Sequence, residues 1–195
     1  MIRRALPLLL MVGTAAADDD APVASPTSAT VEREDMDHRA HLSETDLLRD
    51  LPGATTLGQG GRANDLLLRG FSSSGEPVLH VEVDGVPVDL LTHPYASGYA
   101  DTHFVIADTV SRISLYEGAY AARYGTDATA GTLDIATIDH VNGPTLRMTS
   151  SLFADAEDPY ARLQHIGYQL TGMASPEVKH GSALLAAEIA NDDGP

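Results

Sequence analysis

The sequence predicts an α/β (α+β) domain with a small mixed β-sheet and short helices, followed by a few antiparallel β-strands of a different character. Three observations carry that expectation. Between Ser43 and about His140, short apolar runs alternate with turn residues and brief helical patterns. After His140 the pattern shifts to stretches of about ten residues in which apolar and polar side chains partly alternate. The chain of 195 residues is 43% apolar but has no Trp and three Phe, so its core must be assembled from Leu, Val, Ile and Ala.

Charge and composition exclude several classes of function. Twelve Lys and Arg against 28 Asp and Glu give a formal net charge of -16. That balance repels nucleic acid and offers no basic cluster to an anionic membrane surface. With no Cys, disulfide scaffolds, thiolate metal sites and cysteine nucleophiles are ruled out. No G-x-S-x-G, H-E-x-x-H or comparable constellation is present, so no catalytic residue is assigned and no enzymatic activity is expected. The Ser72-Ser73-Ser74 run between Gly70 and Gly75 reads as a loop tip.

Residues 1–17 read as a secretory signal peptide: Arg3 and Arg4, an apolar run from Ala5 to Gly13, and Ala15 and Ala17 at the small-residue positions of a cleavage site. The run is too short for a spanning helix, which needs about 20 apolar residues. Residues 18–42 read as a flexible acidic arm, with Asp18-Asp19-Asp20, Pro22, Pro26 and a charged stretch from Val31 to Arg39. Within it, Thr27, Ser28, Ala29, Thr30 and Val31 form the only β-compatible segment. It matters if a sheet edge is available to pair with it, and is otherwise a linker.

Ser43 can cap a helix whose stripe is Leu42, Leu47, Leu48 and Leu51, stopped by Leu51-Pro52-Gly53. Gly58 to Gly61 reads as a flexible turn rather than a dinucleotide fingerprint. Strands are expected over 65–69, 78–83 and 86–88, with Asp84-Gly85 as a two-residue hairpin, and over 112–117 and 133–138. Helical turns are expected over 107–110 and 119–124. The three later strands should cover 145–153, 163–172 and 182–190. They suit a transmembrane barrel wall, whose strands are about 9–11 residues long, and equally a soluble antiparallel meander.

Two groups of side chains stand out. Arg69 follows Leu66-Leu67-Leu68, placing a cation at the end of an apolar strand, where a guanidinium needs a carboxylate partner; Asp65, Asp84 and Glu117 are candidates within the domain. The segment from Leu91 to Phe104 carries His93, Tyr95, Tyr99, Asp101 and His103, whose atoms can ligate iron or hydrogen-bond to a chelate, or whose rings can pack as an ordinary surface loop. The spacing of His93 and His103 gives little basis for a preformed zinc site, and no resident metal is assigned. His38, His41, His80, His140, His165 and His180 are scattered and read as exposed or incidental.

DLLRDLPG at Asp46–Gly53, NDLLLRGF at Asn64–Phe71, VEVDGVPVD at Val81–Asp89 and ISLYEGAYAARYGTDATAGTLDIAT at Ile113–Thr137 stand in an order that resembles the plug domain of TonB-dependent outer-membrane receptors. The chain departs from the family's habits at Glu117, Gly118, Ala119 and Asp134. The resemblance implies a plug over 43–140, the first strands of a barrel over 141–195, and an outer-membrane location after export. It implies active uptake of a scarce ligand, such as a ferric siderophore or cobalamin, with TonB of the inner membrane as the energy-coupling partner. No cofactor and no nucleic acid partner is implied.

The resemblance further suggests that Arg69 and Arg123 meet acidic residues of the barrel wall. Thr27–Val31 becomes the candidate TonB-contacting stretch, and His93, Tyr95, Tyr99, Asp101 and His103 the candidate substrate-facing loop. A barrel wide enough for a plug takes about 22 strands, so a truncated receptor, not competent for transport alone, is expected. A periplasmic location and a non-transporting module that binds ligand or TonB are the alternatives.

Overall fold

A computed structural model of the chain describes residues 10–11, 28–39, 41, 43–60, 63–72, 79–90, 99–100, 102–118, 124, 128–153, 165–177 and 183–191. The elements in order are strands β1 (Leu10–Met11) and β2 (Ser28–Glu32), helices α1 (Arg33–Asp37) and α2 (Glu44–Leu48), and strands β3 (Ala54–Gly60), β4 (Ala63–Leu68), β5 (Phe71–Ser72), β6 (Leu79–Val83), β7 (Val86–Pro87), β8 (Asp89–Leu90) and β9 (Tyr99–Ala100). A 3₁₀ turn (Ala107–Thr109) then leads into β10 (Val110–Glu117), β11 (Gly131–Thr137), β12 (Thr145–Phe153), β13 (His165–Ala174) and β14 (Leu184–Asn191). The chain divides into two compact units, one of residues 15–138 and one of residues 1–14 with 139–195.

The first unit is organised by a five-stranded mixed sheet in the order β2-β10-β11-β6-β7. β11 lies parallel to β6, with Leu133 opposite Val81 and Ile135 opposite Val83, and antiparallel to β10, with Leu115 opposite Leu133. One face of these strands therefore presents Val31, Ile113, Leu115, Leu133, Val81 and Val83 to the buried core, joined by Met36, Leu47, Leu48 and Leu51 from the helical segments. Each such side chain contributes about 1.5–3 kcal/mol when fully buried. The sheet ends at β7, an exposed two-residue strand carrying Pro87, a residue suited to an edge because it lacks an N–H to donate. A second small sheet, β3-β4-β5, and the pair β8-β9 complete the unit.

The Asp84-Gly85 hairpin forms as its sequence predicts, with both residues at positive φ. Asp84 also fastens the turn to β11, its carboxylate accepting from the Thr137 backbone N–H at 2.7 Å and hydroxyl at 2.6 Å. Several elements differ from expectation. Residues 28–37, read as part of the arm, are strand and helix, because the edge of β10 pairs with Ser28–Glu32. Gly58 and Gly60, read as a turn, belong to β3, which pairs with β4 through a bulge there. The expected helical turn over 119–124 lies outside the described residues, apart from Tyr124.

In the second unit β12, β13 and β14 form an antiparallel meander, and β1 adds to the outer edge of β14, Leu10 opposite Leu185. Leu10 and Met11 are the described residues of the expected signal peptide.

Candidate functional site

The turn joining β4 to β5 is a tight one, with Arg69 (φ 51°) and Gly70 (φ 85°) both in the left-handed region. That conformation takes Arg69 out of the strand that its sequence position suggested and turns it towards the end of β10, where it pairs with Glu117. Its guanidinium stays 60% exposed while the carboxylate is 8% exposed. The Arg69 N–H donates to the Gly53 carbonyl at 2.9 Å, and Gly53 itself has φ 80°. A side chain at Gly53 would meet both members of the ion pair at 3.4 Å. Of the three candidate partners within the domain, the structure shows Glu117. Arg123 lies outside the described residues.

A second cluster joins α1 and the start of α2 to the 3₁₀ turn. Arg33 donates through Nη1 to the carbonyls of Asp108 at 2.6 Å and Val110 at 3.0 Å, and forms an ion pair with Asp37. The Asp108 carboxylate faces His41 Nε2 at 3.4 Å, with the two side chains 2% and 4% exposed. Glu44, buried at the start of α2, faces His103 at 3.8 Å. His41 and His80 are both buried, which corrects the reading of them as exposed or incidental, whereas His38 and His140 are exposed. His80 lies beside Glu82 at 3.6 Å and beside the Tyr124 ring, which stacks on Tyr116. Asp108 lies 67 positions from His41 and Tyr124 lies 44 from His80, which is why a linear reading did not anticipate their burial.

Of the expected substrate-facing loop, His93, Tyr95 and Asp101 lie outside the described residues. Tyr99 is in β9, opposite Leu90. His103 is 21% exposed and directed at Glu44. Among the described residues no group of three or more His, Asp or Glu is arranged to hold a metal ion. A cavity of about 10 Å³ lined by Thr45, Leu48, Thr56, Leu66, Val81, Ala100 and Thr102 has room for about one water. Of the candidate TonB-contacting stretch, Thr27 is not described, and Ser28 to Val31 form most of β2. β2 is an outermost strand, with one edge on β10 and no strand on the other among the described residues.

The meander exposes a row of large apolar side chains on one face. The register places Leu146 opposite Gly172, Met148 opposite Leu170, Leu170 opposite Ile189 and Ala174 opposite Leu185, all on one face. On that face Leu146 is 75% and Met148 74% exposed, and Tyr168, Leu185 and Ile189 are exposed as well. The other face buries Gln169 and Thr171 together with Met173 and Leu184, and Gln169 donates to Glu188 at 2.7 Å. Three adjacent strands that expose large apolar side chains on one face and bury polar ones among apolar ones on the other suit a wall facing hydrocarbon.

Known proteins resemble the chain in sequence and in fold. Residues 21–132 match the family described as the TonB-dependent receptor plug domain, and the chain belongs to that family. A hemin receptor of Yersinia enterocolitica is 32% identical over 132 residues, a match covering 66% of this chain and 18% of that protein. The ferric enterobactin receptor PfeA of Pseudomonas aeruginosa, solved as a mutant with enterobactin, is similar in fold with a TM-score of 0.62 at 22% identity, covering 86% of this chain and 25% of that one. The siderophore receptor PirA of the same organism gives a TM-score of 0.62 at 22% identity over 87% of this chain and 28% of that one. The hemophore receptor HasR of Serratia marcescens, solved as a double mutant with its hemophore HasA and heme, gives 0.56 at 18% identity over 87% and 24%. The chain thus spans less than a third of the length of each of these relatives.

Proposed function

We propose that this chain forms the plug and first barrel strands of a TonB-dependent outer-membrane receptor for active uptake of a scarce ligand, an iron chelate, heme or cobalamin. The match to the plug family over residues 21–132, lying on a compact unit of residues 15–138, carries the reading. The outward apolar face of β12–β14 supports placing that wall in the outer membrane. His93, Tyr95, Tyr99, Asp101 and His103 remain the proposed ligand-facing set. Arg69 and Arg123 remain the proposed wall contacts, with Arg69 engaging Glu117 as well.

TonB would engage Thr27–Val31 by adding a strand to the outer edge of β2. A photocrosslinker at the exposed Thr30 should then capture the TonB C-terminal domain, and no crosslink would remove this stretch from consideration. For the function itself, deleting the gene should abolish growth on one such ligand supplied as the sole source, and deleting tonB should reproduce the loss. Unchanged growth on hemin, ferric siderophores and cobalamin would overturn the proposal.

A further inference from the structure

We propose that Asn142, in the connection between β11 and β12, is a site of spontaneous self-modification, converted to aspartate and isoaspartate by attack of the Gly143 backbone nitrogen while the chain is folded. Water is the sole co-reactant. The reaction needs a side-chain amide or acid followed by a residue without a Cβ, so that the next backbone nitrogen reaches Cγ unhindered. Two described positions meet that condition, Asn142-Gly143 and Asp84-Gly85, and the fold treats them oppositely. Asn142 and Gly143 are exposed, and the Asn142 side chain makes no hydrogen bond among the described residues. Gly143 has φ 95°, and nothing lies within 4 Å of the point a Cβ would occupy. One backbone bond, from Gly143 N–H to Val141 O at 2.9 Å, closes a turn with Asn142 at its centre.

Asp84 is held at both ends. Thr137 occupies its two carboxylate oxygens, with the N–H at 2.7 Å and the hydroxyl at 2.6 Å, and the Asp84 N–H donates to Ile135 O at 2.9 Å. Its Cγ reaches the Gly85 nitrogen only by giving up both Thr137 bonds and turning the hairpin backbone. The other described asparagines, Asn64 and Asn191, lie in strands opposite Gly58 and Tyr168, and each is followed by an Asp whose side chain obstructs the attack. At Asn142 the Gly143 nitrogen bonds to Cγ, the bond from Cγ to the amide nitrogen breaks, and ammonia leaves with the proton given up by the Gly143 nitrogen. Water then opens the five-membered imide at either carbonyl, with no electrons gained or lost. Both products add a negative charge three residues from Asp139. The isoaspartate also lengthens the main chain between Val141, whose N–H donates to Ser175 Oγ at 2.9 Å, and Thr145, which opens β12 opposite Met173. The way into the meander therefore changes as the chain ages.

Peptide mass mapping of the full chain tests this. A sample folded in detergent, its strand content checked by circular dichroism, is aged beside a urea-unfolded one in water enriched in heavy oxygen, which marks every imide that opens. In the folded chain Asn142 should convert at least about tenfold faster than Asn64 and Asn191, with isoaspartate among its products. Its folded rate should lie within about tenfold of its unfolded rate, whereas Asp84 should react more than about tenfold more slowly folded than unfolded. A folded Asn142 slowed beyond that limit, or converting no faster than Asn64 and Asn191, would overturn the proposal. So would conversion to aspartate alone, which needs no imide. An Asp84 that reacts as fast folded as unfolded would overturn it too, because the hydrogen bonds that distinguish the two sites would then have no bearing on the reaction. The wild-type sequence serves throughout, so no variant has to fold.

Discussion

Glu117 closes β10 beside the turn that carries Arg69, and the energetics of that pair are set by its asymmetric exposure. The guanidinium is 60% exposed, so solvent screens the attraction and Arg69→Ala should cost under about 1 kcal/mol in chemical denaturation. A double-mutant cycle with Glu117→Gln should show coupling of a few tenths of a kcal/mol or more, whereas zero coupling would mean that Arg69 is reserved for another partner. Gly131 is a harsher case. A Cβ there would strike the Tyr116 carbonyl oxygen and come within 2.9 Å of Leu68 Cδ2 and 3.3 Å of Glu117 Cα. The Tyr116–Glu117 backbone of β10 cannot give way as a side chain could, so Gly131→Ala should destabilise the plug by about 2–4 kcal/mol, read as a lowered melting temperature. A tolerated alanine would show that β10 and β11 can separate at that end. Sequence alone named Glu117 among three partners for Arg69 but not the left-handed backbone that selects it, since a non-glycine residue at positive φ announces itself only through the Gly that follows. His41 and Asp108 were less legible still, because nothing in either local sequence marks a pair separated by 67 positions.

At the level of elements, strands with strong local signals were found where expected, and those defined by distant partners were not. β10, β11 and the three later strands carry apolar alternation, and β6 and β7 flank the Asp-Gly hairpin signal; both kinds of signal survive without tertiary context. Thr27–Val31 is β-compatible by sequence but becomes a strand only where an edge is available, and β10 supplies it, with Thr30 opposite Ser114 across a separation of 84 positions. β3 was hidden by its glycines, which a bulge accommodates. The alternation in β12–β14 left a soluble meander and a barrel wall equally open, and burial favours the wall by putting Leu146 and Met148 outside and Gln169 and Thr171, beside Met173 and Leu184, inside. If that outer face meets lipid, Met148→Arg should reduce recovery of the chain with phospholipid vesicles in flotation, since Arg near the bilayer midplane costs about 2–4 kcal/mol. Met148→Leu should leave recovery unchanged. Equal flotation of both variants would remove the lipid-facing assignment.

Over the whole molecule, the order of strands decides which parts of the chain the plug can lose. The sheet is completed from its N-terminal end, with β2 covering the edge of β10, Val31 entering the same core as Ile113 and Leu115, and Met36 following from α1. Among the described residues, no strand of this sheet precedes Ser28. Removing residues 1–27 should therefore leave the plug's melting temperature within about 2 °C of the full chain, because the described residues among them enter neither the plug's core nor its mixed sheet. Removing residues 1–37 takes away β2 and α1 together, strips the ladder from β10 and opens the core beside Ile113. The loss of Val31 and Met36 alone amounts to about 3–6 kcal/mol of burial. An apolar strand edge left without a partner also invites association. The shorter product should melt at least about 10 °C lower or aggregate on refolding. A chain beginning at His38 that melted with the full-length protein would show that the mixed sheet closes without its first strand, and the pairing of β2 with β10 would then be incidental to the plug's stability.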